Sequence, residues 1–463
     1  MRNGDRQQIN IIDESTILNE PELKQLKVFY FLSAFLLITD IVMPQYFGFH
    51  IGFDFTCTRI ADIAILFYMV MNPKVFKHFM YNSMRCKFTI PLIVYLFVGF
   101  YTMVFRVDVN AFFLIFLEIL TLWILVYVIR FVIGYQCAFE WMIRAAYFFG
   151  VLGLVDYVRG RSTMLQLFET LQTGAINFYR SGQYRIMGPC GHALAYGLLL
   201  LLFIAMACVD MENNEVYFFK RPLLMALLFV NVLLTGSRST LGLFFLEAVL
   251  IIVFGNRRNI KKTLFFLLIS IGALIIFLLV FHGTGIANYI MMQLASVVDQ
   301  FMGTDYAAMY GAETTRLQNS EDYRKMLPEI LKLDWLSPIL GRGVKTGFSA
   351  EINGVIIQSV DNYYIEQYIK YAYPGMISYI TFIIGTLVWM IVQIKKYKSA
   401  LLKMIFVGTI CYFINLWWLD ALQTLKYVYI IIALFAAYIF AQQDEKRRRW
   451  IDGVSKKNKN YIY

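Results

Sequence analysis

The sequence predicts an all-α polytopic membrane protein of about twelve transmembrane helices with a large helical extracytoplasmic loop. Three observations lead there. Hydrophobic residues make up 59% of the 463-residue chain and charged residues only 16%, against about 25% charged in a soluble domain. Apolar runs of about 20 residues, the length of helix that crosses about 30 Å of hydrocarbon, recur from end to end. Lysine and arginine collect in alternate connections between those runs, as cytoplasmic loops do.

The apolar runs are 27–47, 55–71, 88–105, 111–129, 139–157, 186–209, 217–234, 240–254, 263–281, 373–394, 404–418 and 427–441. Alternate connections carry Lys74, Lys77, Arg85 and Lys87; Lys220 and Arg221; Arg257, Arg258, Lys261 and Lys262; and Lys395, Lys396, Lys398 and Lys403. Lys446, Arg447, Arg448 and Arg449 follow in the tail. All fall on one side if both termini are cytoplasmic, whereas the opposite short connections 48–54 and 106–110 are nearly free of basic residues. The chain thus divides into a cytoplasmic segment 1–26, nine helices in 27–281, an extracytoplasmic loop 282–361, three helices in 362–441 and a basic cytoplasmic tail 442–463. The polar start MRNGDRQQINIIDE has no apolar core followed by a cleavage site, so the first span is expected to direct insertion into an inner or plasma membrane.

The net charge of +11 lies between the spans, which argues against nucleic acid as a partner. The six cysteines, Cys57, Cys86, Cys137, Cys190, Cys208 and Cys411, have no metal-site or disulfide spacing. There is no internal repeat.

Two outward segments are long, 158–185 and 282–361. In the second, Tyr323, Met326, Leu327, Ile330 and Leu331 recur at helical spacing opposite Ser320, Glu321, Asp322, Arg324, Lys325 and Glu329. This predicts an amphipathic helix lying on the membrane surface or over the outer helix ends. Ile290, Met291, Leu294, Val297, Val298 and Phe301 predict a second.

Three outward patches carry charges that lipid would not tolerate. RIMGPCGHALAYG places Arg185 at the mouth of a span, with Gly188, Pro189 and Gly191 allowing a sharp turn. The arginine reads either as a binding cation or as one that snorkels to the interface. LLTGSRSTLGL lies between two runs whose arms, at 1.5 Å per residue, reach only roughly 27 Å, so the turn is expected to sit recessed. Ser237 or Ser239 would cap the next helix, and backbone N–H groups beside Arg238 would form an anion site suited to phosphate; a plain hairpin turn with a solvated arginine is the other reading. The third patch combines TTRLQNSEDYRKMLPEILKLDWLSPILGRGVKTGF with SVDNYYIEQYIKYAYPGM. There Asp361 reads as a helix cap or a functional carboxylate, Glu366 and Lys370 as an ion pair one turn apart, and Gly341 and Gly343 as a glycine turn or a binding loop.

In order and spacing these motifs resemble the bacterial O-antigen polymerase and O-antigen ligase superfamily, over roughly residues 180–380. The resemblance rests on Arg185 with Gly188 opening a span; Gly236, Ser237 and Arg238 between two spans; Arg316 before Pro338, Gly341 and Gly343; and Asn362 with Tyr364 before Gly375. Ligase-type members usually carry a histidine before that asparagine, where this chain has Asp361. His192 and His282 are outward but do not occupy the matching place.

The resemblance implies a polyprenyl-diphosphate-linked oligosaccharide as donor and acceptor, with membrane lipid around it. Arg185, Arg238 and Arg316 would meet the diphosphate as negative charge gathers on it, and a carboxylate, Asp361, would take the acceptor's proton. Asn362, Ser237, His192, Tyr364, Gly341 and Gly343 would contact substrate. The scheme needs no metal and no cofactor, and no Asp-x-Asp pair stands on an outward loop. A chain-length regulator and a flippase are the implied protein partners. Asp361 favours polymerase over ligase. A flippase for the same lipid-linked sugar is the rival from another class, with ionisable groups through the midplane; Arg59 with Asp62, and Arg144 with Asp156, are the main buried charges, the first two expected to pair on one helix face.

Overall fold

A computed structural model describes residues 20–171, 177–180, 183–312, 322–421 and 424–459. The structure is 73% helical, and each of the apolar runs lies on a helix. The first nine helices carrying these runs and their connections are α1 Glu20–Val42, α2 Cys57–Met71, α3 Pro73–Met84, α4 Thr89–Arg106, α5 Val109–Val128, α6 Tyr135–Arg159, α7 Thr163–Phe168, α8 Ala193–Ala207 and α9 Pro222–Leu234. They are followed by α10 Arg238–Phe254, α11 Arg257–Val280, α12 Gly285–Met302, α13 Tyr363–Tyr397, α14 Ala400–Asn415 and α15 Leu425–Lys459.

Among the described residues, six helical stretches are long and apolar enough to cross a membrane: Thr89–Arg106, Val109–Ile133, Tyr135–Arg159, Asn259–Val280, Tyr363–Tyr397 and Leu425–Glu445. α8, α9 and α14 are apolar but shorter. For α8 and α9 the reason is local. The run 186–209 spends its start on a turn in which Gly188 has φ +51° and Cys190 N donates to the Met187 carbonyl. α9 stops at the buried turn formed by Thr235, Gly236 and Ser237.

Burial separates a central helix from a peripheral one. Almost every residue of α8 is buried, and Gly408 of α14 lets that helix approach Ala205 closely. A helix apolar all round belongs inside a bundle. α11 instead exposes Phe265, Leu268, Ile276 and Leu279. So much uncovered apolar surface suits hydrocarbon, not water. Together these features define a helical membrane protein.

The basic connections touch one another. Arg130 pairs with Asp444 at 2.7 Å, Arg85 lies over the Phe440 ring, Lys403 Nζ donates to the Phe254 carbonyl, and Ala400 N donates to Asn214 Oδ1.

α13 is broken. Ala372 has φ 54° and ψ −166°. Pro374, two residues on, has no N–H and would crowd the carbonyl of Lys370 in a continuous helix. The freed groups find partners in the preceding loop: Arg342 N donates to Ile369 O, Gly343 N to Lys370 O, and Tyr373 N to Pro338 O. Arg106 Nε holds the Gly341 carbonyl at 2.7 Å, and Asp108 accepts from Val344 N at 2.6 Å and Lys345 N at 2.8 Å. The loop is therefore laced into the helix break.

The amphipathic segment differs from expectation in its helix. Residues 322–326 form one helical turn and Leu327–Lys332 a 3-10 helix, because Pro328 interrupts the α-helix pattern. Of the two placements expected for its apolar side, the packing over a helix end is the one seen: Leu327 and Ile330 pack with Ile352, Ile357, Ile365, Tyr368 and Ile369, over the first half of α13. The second predicted helix is α12.

Candidate functional site

Two cavities open among connections expected on the extracytoplasmic side. The larger, about 610 Å³, is lined by residues of the hairpin Gly48–Ile51/Phe53–Thr56, by α2, α5 and α13, and by the segment before α15. Its wall mixes aromatic rings (Tyr46, Phe53, Phe178, Tyr363, Tyr371) with Asp54, Arg59, Glu118, Gln367 and Lys370. The smaller, about 480 Å³, lies between residues 343–348 and 358–361 and the first turns of α13. His192, Glu366, Lys370 and Asp420 line both.

The α13 break explains this placement. Asn362 caps the helix by accepting from Ile365 N at 3.1 Å, and one turn later Glu366 and Lys370 form an ion pair, as their spacing predicts. The helix unwinds immediately afterwards, so both side chains sit on a short, cavity-facing segment. Asp420 joins them from the loop after α14. Burial first, and then the Glu366 carboxylate beside it, push the Asp420 carboxyl well above the usual carboxylate range. One proton shared between adjacent carboxyls relieves their repulsion.

A second centre forms at the turn before α10. Ser237 caps α10, accepting from Thr240 N, and Thr235 and Ser237 are buried within the protein. Arg185 reaches it: Nε donates to the Thr235 carbonyl at 2.7 Å. Gly236, with φ +60°, has Arg185 Nε and the Tyr289 hydroxyl within about a carbon's contact of where a Cβ would stand. Arg238 opens α10 from the same turn; hydrogen bonds from Thr304, Ala307 and Tyr306, and after them the Arg238 charge, keep the α12 carboxylate Asp299 below its ordinary range against its burial. Two of the three expected arginines thus belong to one place; Arg316 lies outside the described residues.

His192 stands between the two centres. Burial, and then the Arg185 guanidinium, push its pKa down to about 4. Its Nδ1 accepts from Leu194 N at 3.1 Å, so the neutral ring carries its proton on Nε2 and offers a donor. His192 is therefore suited to bind an oxygen, not to take a proton.

Other expected residues have definite places. Asp361 is not the helix cap; Asn362 holds that position. Asp361 lines the smaller cavity, paired with Arg324 at 3.4 Å and accepting from Ser359. Asn362 is buried in its cap, and Tyr364 spends its hydroxyl on the Phe413 carbonyl at 2.7 Å, so both act on the backbone. Gly341 is required by packing, since a Cβ there would lie 2.0 Å from the Lys370 carbonyl. Gly343, with φ +80°, lines the smaller cavity.

Arg59 and Asp62 do not form the expected pair. Arg59 donates to the Asp54 carbonyl and lies over the Phe53 ring, while Asp62 accepts from Thr121. Helical spacing brought them to one face, but each found a partner on another element. Asp156 accepts from Thr163, and Arg144 pairs with Glu140 at an exposed position. Glu118 and Asp420 were missed as site residues, being single acids in apolar or aromatic surroundings; an acid that lipid cannot accommodate was the signal available. Among the described residues, no group of three or more His, Cys, Asp or Glu is placed to hold a metal.

No protein-family model matches the sequence, and no curated protein matches it significantly.

Proposed function

We propose that this protein is a polysaccharide polymerase: a glycosyltransferase that joins polyprenyl-diphosphate-linked oligosaccharide repeats on the extracytoplasmic face of a bacterial plasma membrane. The product would be O-antigen, capsule or exopolysaccharide. The observation that carries the reading is the meeting of Arg185 with the turn of Gly236, Ser237 and Arg238, beside cavities lined from connections expected on the extracytoplasmic side. In this reading twelve helices span the bilayer, both termini are cytoplasmic, and residues 282–361 lie outside.

Arg185 and Arg238, with Arg316, hold the donor diphosphate. Guanidinium groups suit this because they bind phosphate oxygens in pairs and stay charged. Fixed cations in a water-poor place stabilise the charge that develops on the departing diphosphate. His192 Nε2 steadies an oxygen of the donor, and Asp361 with Arg324 stands at the rim where the acceptor arrives. The scheme uses neither metal nor cofactor, and a chain-length regulator and a flippase are its protein partners. A ligase would share this chemistry with a different final acceptor.

A carrier for the same lipid is favoured by one observation, the broken helix α13 beside buried ionisable groups, a feature that transporters use at their binding sites. Reconstituted protein supplied with lipid-linked oligosaccharide separates the readings. A polymerase yields a ladder of products spaced by one repeat, a ligase transfers only to a final acceptor, and a carrier moves the substrate across unaltered.

A further inference from the structure

The two cavities are joined at one set of side chains. The geometry points to a two-chamber transferase in which donor and acceptor saccharides occupy separate cavities, and in which Glu366, flanked by Lys370 and Asp420, takes the acceptor's proton at their junction. This rests on the polymerase reading and adds a catalytic group to it.

The chambers differ in what they can bind. The larger has aromatic rings interleaved with carboxylates and an amide, Asp54, Glu118 and Gln367. Rings offer apolar faces, and carboxylates accept from hydroxyls, a pairing suited to a neutral saccharide. Its acids outnumber its firm cations, Arg59 and Lys370, so a diphosphate is better held at the Arg185 and Arg238 turn. His192 touches both chambers and feels Arg185. The diphosphate on the arginines and the first sugar beyond His192 would bring the anomeric carbon to the junction. The smaller chamber, with Asp361 at its wall, then receives the acceptor.

Glu366 is placed to act there. One carboxylate oxygen meets Lys370 Nζ, the other is buried, and the Asp420 carboxyl bonds the group from the loop after α14, so it is held in place where both chambers meet. Asp361 is less suited, being about 40% exposed at the side chain and already paired with Arg324. In the step, the acceptor hydroxyl gives its proton to Glu366, and its oxygen bonds to the anomeric carbon. The bond from that carbon to the diphosphate oxygen breaks, and the electron pair leaves on the diphosphate. Asp420, protonated beside Glu366, keeps a second negative charge away from the junction, and the transferred proton returns to water after the product departs.

The test uses full-length protein in lipid nanodiscs. The probe is the polyprenyl-diphosphate oligosaccharide extracted from membranes of a source strain lacking this chain. Wild type that forms no polymer overturns the polymerase reading itself. Given an active wild type, Glu366→Gln is expected to lower kcat by roughly 10²-fold or more, the scale of acid–base catalysis, with KM little changed. Asp361→Asn is expected to act mainly on KM for the acceptor. Near wild-type kcat in Glu366→Gln, or a rise in its KM without loss of kcat, overturns the assignment. Should that variant fail to fold, the wild type still decides. A hydrophobic carbodiimide, which attacks protonated buried carboxyls, should label Asp420 or Glu366, abolish polymer formation, and be held off by bound substrate. Full activity after labelling at either residue, or no labelling of both, overturns it.

Discussion

Asn362 and Asp361 stand side by side and do different work. Asn362 accepts from a backbone N–H at the start of α13, so Asn362→Ala should cost about 1 kcal/mol of stability. Asp361→Asn and Asp361→Ser leave the cap untouched and should unfold at the wild-type temperature while weakening acceptor use. Thermal unfolding in detergent compares them. At the diphosphate centre, Arg238→Ala and Arg185→Ala should each abolish polymer, and lysine should rescue only in part because it lacks the paired donors. Arg185→Ala should also destabilise by about 1–3 kcal/mol, since it strips a donor from the buried Thr235 carbonyl. His192 makes a pH prediction. Its folded pKa of about 4 lies below the unfolded value of about 6.5. The unfolded state therefore binds more protons between them, and this contribution to stability, complete above about 6.5, is lost as pH falls towards 4. His192→Gln should unfold with a smaller shift on acidification over that window than wild type. These residues were legible as candidates because arginine, histidine and acid are conspicuous at the ends of apolar runs. Their division of labour was not, since a cap and its neighbour look alike until the hydrogen bond is drawn.

At the level of elements, the break in α13 ties loop to site. Gly341 lies against the Lys370 carbonyl with no room for a Cβ. Gly341→Ala should push the loop off the break, cost about 1–3 kcal/mol as an overpacked contact does, and lower activity by shifting Glu366 and Lys370. Unfolding temperature and polymer yield, measured together, check this; unchanged values for both would show that the loop is not what holds the junction. The sequence carried half of this arrangement. Pro374 and the glycines after Pro338 were visible, and so was the pairing of Glu366 with Lys370. That the glycine loop fills the hydrogen bonds freed by the proline depends on contacts about 30 residues apart in sequence, which no local period records. The amphipathic segment shows the same limit: its periodicity was correct, but Pro328 shortened its helices, and periodicity alone left open whether the apolar side would meet lipid or helix ends; it meets α13. Arg59 and Asp62 shared a face as read, yet helical spacing does not say whether a stronger partner waits on the next helix.

Across the whole molecule, helical class was legible because apolar composition and run length act on every segment at once, whereas cavities arise only when connections far apart in sequence converge. Orientation can be tested in a background without the native cysteines. A single cysteine at position 345 should react with an impermeant reagent from outside, and one at position 396 only after the membrane is opened; the reverse pattern would place the cavities in the cytoplasm and remove the proposed chemistry. The central claim is that each new glycosidic linkage is made at the expense of one lipid-diphosphate bond. The most direct measurement counts both in the same reconstituted sample, resolving polymer length by mass spectrometry while quantifying free polyprenyl diphosphate. The account predicts products growing by whole repeats, one polyprenyl diphosphate released per linkage, unaltered by a metal chelator. Lipid-linked oligosaccharide that stays at its starting length with no polyprenyl diphosphate set free, in protein shown to be folded, would contradict it.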